Sequence, residues 1–469
     1  MFVNGIQEKY GLNWEGKRIA VQLADVPANG TLMPCQEDSV DWDATNNLMV
    51  EGDNIDALKL LQDSYSGNVD FIYIDPPYNT GNSFVYSDKH GSGPGKRHSS
   101  WLSMMYPRCV LARTLLAADG VMLVSVDGNE MANLRLLLDE VFGESNFLAT
   151  IVWVANLRGR QTSKRGPVGT HEYILCYARD AELVRQARGE IKALKELMPA
   201  IYKMPDYEVR QDERGPYVVK NELHNTNSKS NEQTMPTMVF DIHHNFYTGE
   251  TRTTATSENA HIPGFAVAHP HPNARPSVSY HAWRWSRKRV VAESDSLEFR
   301  IDRGRLRIGT KIRDIDHAAL KDIVIGPSTT SGQYDLKKLG LARVFDYPKP
   351  VSLIQTLLAS MAPSDATVMD FFAGSGTTGH AVMAQNAVDG GSRRYIVVQI
   401  PETLDHSVKS HALAAEFCDK LGVPRNLVEV TKERLRRAAK DVQKNASVGA
   451  DLGFRVFRIG TGECSEPNS

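Results

Sequence analysis

The feature that most constrains this chain is a short apolar run, Val69–Ile74, which passes directly into the sequence Asp75-Pro76-Pro77-Tyr78. Prolines fix φ and keep the preceding residue extended, so the Asp75 carboxylate is held at the end of a strand. An amino group on a flat ring can donate one hydrogen to Asp75 and one to the Pro76 carbonyl, while Tyr78 covers the ring face. We interpret the segment as a pocket for an unstacked nucleobase, and a simple Asp-Pro turn is the alternative.

A second motif begins at Thr367, where a short apolar strand leads into a turn containing Gly374 and Gly376 and then into a helical pattern. The two glycines allow a tight turn and let a ligand approach where a Cβ atom would clash. The pattern therefore predicts a strand, a loop and a helix that together bind a cofactor.

The same two glycines, with Gly379, also fit the dinucleotide fingerprint G-x-G-x-x-G, so a nicotinamide or flavin oxidoreductase is an alternative. That class of enzyme expects an acid about 20 residues further on, at the end of the next strand. Gln399 stands near that position, and Glu402 lies just beyond it. The departure weakens the oxidoreductase interpretation without excluding it.

Together, the Asp-Pro-Pro-Tyr tetrapeptide and residues 372–378 resemble the motifs of amino-methyltransferases that use S-adenosylmethionine. The base motif precedes the cofactor motif, which is the order in the β group of DNA methyltransferases. Five further segments resemble the modification (Mod) subunits of type III restriction-modification systems, namely residues 51–54, 101–105, 124–127, 171–175 and 345–350. The resemblance covers most of residues 45–455.

This resemblance implies an α/β, Rossmann-like methyltransferase fold, with a mostly parallel doubly wound sheet and an inserted target-recognition domain. The implied reaction transfers a methyl group to adenine N6 of a flipped base in duplex DNA. An acid at the position of Asp75 is typical of adenine enzymes, whereas cytosine-N4 enzymes often have serine there. The alternatives are a cytosine-N4 enzyme, the oxidoreductase and a DNA-binding relative without activity. The implied catalytic residues are Asp75, Pro76, Pro77 and Tyr78.

Carried over residue by residue, the resemblance also implies which positions bind S-adenosylmethionine. They are Asp53, Asn54, Lys349, Asp370, Phe372, Ala373, Gly374, Ser375, Gly376, Thr377, Gln399 and Glu402. Asp53 is equally suited to cap a helix, and Pro350 after Lys349 is ordinary at a helix start. The choice between Gln399 and Glu402 as the ribose ligand stays open. Since a methyl sulfonium is already an activated electrophile, no metal ion is expected.

The formal charge of −2, from 54 basic and 56 acidic side chains, argues against a protein that coats nucleic acid. DNA contacts must therefore come from local basic segments. The candidates are Lys96, Arg97, Arg158, Arg160, Lys164, Arg165, Arg284, Arg287, Lys288 and Arg289. Near the last four, Trp283 and Trp285 are equally suited to stack on bases or to fill a core.

Composition also limits where the protein acts. The N-terminus shows no basic-then-apolar leader, and no apolar run approaches the ~20 residues that cross a membrane. Five cysteines are scattered without Cys-x-x-Cys spacing, which is typical of reduced thiols. We therefore expect a cytoplasmic protein without a metal site, and the resemblance to restriction-modification enzymes implies a bacterial or phage origin.

The resemblance implies double-stranded DNA as the substrate partner, with a second copy of this chain and a restriction (helicase-nuclease) subunit as candidate protein partners. Full-length Mod subunits usually extend well beyond the segment that resembles residues 451–457, whereas this chain ends at Ser469. A truncated form, a stand-alone methyltransferase and a relative with another assembly are the alternatives.

Strands alternate with helices before residue 180 and after residue 340, which predicts an α/β sheet, and the alternation fades between them. Such a long excursion indicates an inserted domain. The predicted divisions are a first catalytic part (1–180), the insertion (181–340), a second catalytic part (341–459) and a tail (460–469). Among the elements of the first part, we expect a polar loop at 87–100, a helix at 101–118 and a strand at 120–127.

Overall fold

The computed structural model describes residues 11–81, 94–157, 167–203, 207–273, 277–446 and 449–460. The chain divides into two compact units. The first unit comprises Met1–Tyr202 and Ala319–Ser469, and the second unit comprises Lys203–Ala318. The second unit is shorter at both ends than the predicted insertion, because Arg188–Leu197 and Ile323–Lys338 cluster with the first unit.

Helices and strands alternate through most of the first unit. Before residue 203 the elements are α1 (Lys17–Asp25), β1 (Thr31–Val40), β2 (Leu48–Glu51), α2 (Asn54–Tyr65), β3 (Val69–Ile74), α3 (Pro94–Leu115), β4 (Leu116–Val126), α4 (Met131–Phe142), β5 (Phe147–Val154), β6 (Glu172–Ala178), β7 (Arg188–Glu190) and α5 (Ile191–Leu197). The middle of the chain contains β8 (Arg210–Asp212), β9 (Gly215–Glu222), β10 (Asp241–His244), β11 (Thr251–Thr254), β12 (Ala266–Ala268), α6 (Arg287–Ala292), β13 (Leu297–Asp302), β14 (Arg305–Ile312) and β15 (His317–Ala319). Then follow β16 (Ile323–Ile325), α7 (Thr329–Lys338), α8 (Val351–Met361), β17 (Thr367–Asp370), α9 (Thr377–Asp389), β18 (Arg394–Gln399), α10 (Ala412–Leu421), α11 (Leu427–Val442) and β19 (Phe454–Gly460).

The main sheet, in the described part of the chain, has ten strands in the order β1-β19-β2-β18-β17-β3-β4-β6-β5-β16. The run from β19 to β4 is parallel throughout. Antiparallel pairs occur only outside that run, between β1 and β19, β4 and β6, and β6 and β5. The predicted mostly parallel α/β sheet is therefore confirmed.

The centre of this sheet is a topological switch point between β17 and β3. From β17 the chain passes through α9 to β18 on one side, and from β3 it passes through α3 to β4 on the other. Connections that diverge from neighbouring parallel strands leave a crevice at their carboxyl ends, where ligands bind in open α/β sheets. Both motifs predicted from the sequence begin in this crevice.

Burial explains why these strands read as continuous apolar runs. Helices cover both faces of a parallel sheet, so every position of β17 is buried, and Phe71 and Ile72 of β3 are fully buried. On one face, Trp101 and Met105 of α3 pack against β3 together with Leu58 of α2. Helix α9 packs against α8 and α11.

The second unit is built from short antiparallel strands. One sheet has the order β13-β14-β9-β8 and another the order β11-β10-β12. Trp283 is buried in its core with Phe240, and its indole N–H donates to the Phe240 carbonyl at 2.7 Å. Of the two interpretations of Trp283, the core role is the one observed.

The prediction of a loop at 87–100 is wrong for residues 94–100, which belong to a helix. Residues 82–93 lie outside the described residues, but α3 already begins at Pro94 and continues to Leu115. Proline suits the first turn of a helix because its missing N–H has no intrahelical partner there. The polar composition of residues 95–100 reflects the exposed first turns of a helix rather than a loop. The following strand likewise begins at Leu116 rather than at residue 120.

Across the described residues, none of the helices is both long enough and apolar enough to span a membrane.

Gly379 lies in the first turn of α9, where a better helix former would ordinarily be expected. A Cβ atom at Gly379 would lie 2.7 Å from Leu435 of α11 and 3.3 Å from the ring of Tyr395. We expect Gly379→Ala to destabilise the protein by about 1–2 kcal/mol, because overpacking outweighs the gain in helix propensity. Urea denaturation would measure the change.

Gly95, in the first turn of α3, provides the matched control, because a Cβ atom there meets nothing within 4 Å. Gly95→Ala should leave the free energy of unfolding unchanged or raise it by up to about 1 kcal/mol. A Gly379→Ala protein as stable as the wild type would contradict the packing explanation.

Candidate functional site

A cavity of about 270 Å³ opens in the first unit at the carboxyl ends of the central strands. Most residues predicted to bind the cofactor line it. They are Asp53, Asn54, Lys349, Asp370, Phe372, Ala373, Gly374, Ser375, Thr377, Gln399 and Glu402. Asp75 and Pro77 of the base motif line the same cavity. The structure thus brings the two sequence motifs together around one space.

The glycine loop between β17 and α9 has the backbone conformation that its sequence predicts. Gly374 and Gly376 have φ values of 53° and 85°, in the left-handed region that favours glycine. A Cβ atom on Gly374 would lie 3.1 Å from the ring of Phe345. Thr431 of α11 donates its hydroxyl hydrogen to the Gly374 carbonyl at 2.6 Å. The loop is therefore held from outside as well as by its own turn.

Gln399, at the end of β18, accepts a hydrogen bond from the Gly374 N–H through Oε1 at 2.7 Å. Its amide nitrogen donates to the Ile400 carbonyl at 3.1 Å. Both ends of this side chain therefore contact the backbone of the cavity wall. Glu402 lines the cavity nearby and is half-buried.

Asp370 ends β17 and is buried beneath the glycine loop. One carboxylate oxygen accepts from the Phe372 N–H at 3.0 Å and the other from the Thr378 hydroxyl at 2.5 Å. Burial raises the pKa of Asp370 to about 7, although both hydrogen bonds favour the charged form. Asp370 thus changes charge near neutral pH.

The loop after β2 is joined to β17 through side chains. Asp53 caps α2 by accepting from the Ile55 N–H at 2.8 Å, which is the capping role considered from the sequence. Asn54 donates to the Phe371 carbonyl at 2.8 Å. Arg108 of α3 binds both residues, with 3.0 Å to Asp53 Oδ1 and 2.5 Å to Asn54 Oδ1. Sequence reasoning missed Arg108, because a single arginine inside a helix carries no local signal.

Contacts with the protein interior hold the base motif in place. The indole N–H of Trp101 donates to the Pro77 carbonyl at 2.6 Å, and Pro76 is buried. Asn79 is fully buried with φ of 58°, a conformation that few residues other than glycine adopt as readily as asparagine. The turn after β3 is therefore fixed on both sides of Tyr78.

Lys349 contacts the base motif directly. Its ammonium group donates to both oxygens of Asp75 at 2.7 Å and to the hydroxyl of Tyr78 at 2.8 Å. The Tyr78 hydroxyl in turn donates to Glu172 Oε2 at 3.1 Å. Burial and the neighbouring carboxylates of Asp75 and Glu172 raise the pKa of Tyr78 well above its ordinary value. Tyr78 therefore stays a neutral phenol.

Two more residues at the site were missed. Glu172 lies within the 171–175 segment noted from the sequence, but that segment gave no role for it. Arg434 of α11 is fully buried and donates to Ser375 Oγ at 2.5 Å and Thr377 Oγ1 at 2.7 Å. Burial lowers the pKa of Arg434 to about 10, so the group remains a cation at neutral pH. Its position on a distant helix explains why no sequence pattern pointed to it.

The predicted DNA contacts are distributed between the two units. Lys96 and Arg97 lie in the first turns of α3, Lys96 exposed and Arg97 half-buried. Arg158, Arg160, Lys164 and Arg165 lie outside the described residues. Arg284, Arg287, Lys288 and Arg289 belong to the second unit, in or just before α6.

These four basic residues of the second unit differ in the contacts that they already make within the protein. Arg289 pairs with Glu293 at 3.0 Å and lies over the ring of Trp285 at 4.1 Å. Arg287 lies 5.4 Å from the ring centre of Phe240. Arg284 and Lys288 are exposed.

Within the described parts of the chain, two groups of side chains have the spacing of metal ligands. The first group is Asp38, Glu51 and Glu429, and the buried ammonium of Lys432 lies among them, 2.7 Å from Asp38 and 2.9 Å from Glu429. The second group is Glu222, His224 and His271, in the second unit. There Arg307 lies 3.3 Å from Glu222. Cations of the protein thus accompany both groups.

The raised pKa of Asp370 has a consequence for stability. Because the folded protein holds this proton more tightly than the unfolded chain, where the ordinary value is 3.8, the contribution of Asp370 to stability falls as pH rises from about 4 to about 7. Asp370→Asn cannot ionise and lacks this fall. We expect the stability of the variant relative to wild type to rise by up to about 1.4 kcal/mol per pH unit across that window.

Urea denaturation at half-unit steps from pH 4.5 to pH 8 would measure the difference. The exposed Asp63→Asn variant serves as the control for the loss of a surface carboxylate. A flat difference curve for Asp370→Asn would show that burial does not raise the pKa of Asp370.

Comparisons with known proteins agree with this geometry. A family model described as DNA methylase, the N6/N4 type, matches residues 69–403. The type III restriction-modification enzyme EcoPI Mod subunit of Escherichia phage P1 is 31% identical over 489 residues, covering 96% of this chain and 71% of that protein. The StyLTI Mod subunit of Salmonella typhimurium is 31% identical over 98% of this chain and 67% of its own length.

A type II relative and a solved structure are also similar. Type II methyltransferase M.KpnI of Klebsiella pneumoniae is 29% identical over 76% of this chain and 81% of its own length. The PvuII DNA methyltransferase, described as cytosine-N4-specific, matches 84% of this chain and 94% of its own, with 14% identity and a TM-score of 0.37. The family-model match and the two Mod-subunit relatives show that the chain belongs to the N6/N4 DNA methylase family and, within it, to the Mod subunits of type III restriction-modification enzymes.

Proposed function

We propose that this protein transfers the methyl group of S-adenosylmethionine to N6 of an adenine that has been flipped out of duplex DNA. The observation that supports the proposal most directly is the shared cavity, which Asp75 borders on one side and the glycine loop on the other. A methyl donor and an acceptor base that bind on opposite sides of one cavity are already close enough to react. Membership in the DNA methylase family also removes the oxidoreductase interpretation of the glycine loop.

The residues around the cavity fit the proposed cofactor. At Gly374 the loop contributes only backbone to the cavity wall, and a Cβ atom there would crowd the ring of Phe345. Glu402 is our choice for the ribose hydroxyls, since Gln399 is engaged with the Gly374 N–H and a carboxylate accepts two hydroxyl hydrogens at once. Asp53 and Asp370 add acidic groups facing the same space. When bound, S-adenosylmethionine supplies a methyl group on a positively charged sulfur.

The base motif supplies the acceptors for the amino group. In this proposal Asp75 and the Pro76 carbonyl each accept one hydrogen of an exocyclic amine, which turns the nitrogen lone pair toward the cofactor. Tyr78 offers its ring for stacking and its neutral hydroxyl to Glu172. Removing a base from the duplex costs a few kcal/mol, which stacking and phosphate contacts offset. The acid at position 75 favours adenine as the target.

We propose that the second unit recognises the target sequence. It carries Arg284, Arg287, Lys288 and Arg289, of which all but Arg287 are exposed and thus accessible to DNA phosphates. Because the relatives are named as subunits of restriction-modification enzymes, we also propose a restriction subunit and a second copy of this chain as partners. Bacterial and phage relatives support a bacterial cytoplasm as the place of action.

The decisive experiment is transfer of labelled methyl from S-adenosylmethionine to duplex DNA of mixed sequence, with the product identified by nucleoside mass spectrometry. The wild type should form N6-methyladenine, and Asp75→Ala should reduce the rate at least about 100-fold, because the main acceptor for the amine is lost. Binding of the cofactor should change far less than the rate.

N4-methylcytosine as the product would keep the reaction class and overturn the adenine assignment. Absence of transfer by the wild type, with intact cofactor binding and with DNA of many sequences supplied, would contradict the proposed activity of the isolated chain.

A second prediction concerns the ribose site. Glu402→Gln should weaken S-adenosylmethionine binding about 10- to 100-fold, since a hydrogen bond to a charged group contributes about 1.5–3 kcal/mol. Isothermal titration calorimetry would measure the dissociation constant. Glu416→Gln on the exposed face of α10 is the control, because its carboxylate pairs with Lys420 at the surface. Equal affinity of Glu402→Gln and wild type would show that a residue other than Glu402 binds the ribose hydroxyls.

A further inference from the structure

Glu172 stands at the first position of β6 and is almost fully buried, 4% exposed, beside the base motif. Its carboxylate accepts the Tyr78 hydroxyl at 3.1 Å and lies 3.7 Å from the ammonium of Lys349. A buried carboxylate is costly unless it is paired, so this placement calls for an explanation. The role proposed for Asp75 does not by itself require the buried carboxylate of Glu172.

The surroundings of Lys349 define what Glu172 does. The ammonium lies between two carboxylates, Asp75 at 2.7 Å and Glu172 at 3.7 Å, and beside the rings of Tyr78 and Trp153 at 4.9 and 5.6 Å from their centres. Trp153 is itself fixed, because its indole N–H donates to the Pro327 carbonyl at 2.6 Å and it is paired in register with Glu172. The cluster is preorganised by the sheet.

The charges of this cluster decide its effect on the reaction. Asp75 and Lys349 alone sum to zero, and with Glu172 the three groups sum to one negative charge. During methyl transfer the positive charge moves from the cofactor sulfur to the amine nitrogen, which Asp75 faces. A neutral pair would stabilise that charge weakly, whereas a cluster with net negative charge stabilises it more in the transition state than in the ground state.

We propose that Glu172 is a positioning residue for methyl transfer, which holds the Tyr78 hydroxyl and offsets the charge of Lys349 so that Asp75 faces the amine with net negative charge. The inference rests on the proposed function and assigns a role to a residue outside both sequence motifs. The amine proton released after transfer goes to Asp75 or to water, and Glu172 takes no part in that step.

The test is single-turnover methyl transfer by Glu172→Gln at saturating S-adenosylmethionine and DNA. Glutamine keeps the size and an acceptor for Tyr78 but removes the charge. We expect the transfer rate to fall about 10- to 100-fold, and the dissociation constants for cofactor and DNA to stay within about threefold of wild type. Glu172→Asp, which keeps the charge, should recover part of the rate.

A charge-compensation cycle separates this role from a purely structural one. Lys349→Met alone should slow transfer, since Asp75 and Tyr78 lose a donor. The double variant Glu172→Gln/Lys349→Met has the wild-type sum of one negative charge, so its rate should be at least tenfold higher than the product of the two single effects implies. Additive losses would overturn the inference.

Glu429→Gln is the matched control, because Glu429 is another buried carboxylate that pairs with a buried lysine, Lys432, at 2.9 Å. This control should lower the thermal unfolding temperature while its transfer rate stays within about threefold of wild type. A wild-type transfer rate in Glu172→Gln, or a loss confined to cofactor affinity, would also overturn the inference.

Failure of the proposed function would appear differently, as absence of transfer by the wild type. Should Glu172→Gln fold poorly, Tyr78→Phe provides the second variant. It removes the hydroxyl between Glu172 and Lys349 and keeps the ring, so it should lower the transfer rate without weakening cofactor binding. Unchanged transfer by Tyr78→Phe would contradict the part of the inference that concerns Tyr78.

Discussion

Parallel pairing of β17 with β3 is the constraint on which the functional site depends. Val368 lies opposite Phe71 and Met369 opposite Ile72, so residues almost 300 positions apart in the chain end side by side. Because the two connections then diverge, the base motif and the glycine loop face each other across the crevice. Each motif has a local conformation of its own, but only this pairing makes them one site.

Local signals allowed much of the fold to be predicted. The apolar run Val69–Ile74 is the observed β3, and the helix start that Pro350 suits is the start of the observed α8. Such elements are predictable because burial on both faces of a parallel sheet, or on one face of a helix, leaves a regular pattern in the sequence. The first turns of α3 were mistaken for a loop, because their exposed polar residues show no such pattern.

The supporting side chains could not be predicted, for a physical reason. Arg108, Glu172 and Arg434 act across distances of 54 to more than 90 positions in the chain, on partners brought near only by the tertiary fold. Their own neighbours in sequence are ordinary helix or strand residues. Lys349 shows the same limit in another form: the resemblance suggested a cofactor contact, and the geometry adds a double contact with Asp75.

The position of β19 has a consequence for synthesis of the protein. This strand, Phe454–Gly460, lies between β1 and β2, and β1 pairs with it in the main sheet. Thr431 and Arg434, which hold the glycine loop, also follow that loop by more than 50 residues. On the ribosome, domains fold as the chain emerges. Strand β1 can therefore pair fully with β19 only after residue 460 has been made. The residues that support the glycine loop are thus supplied only late in the synthesis of this region.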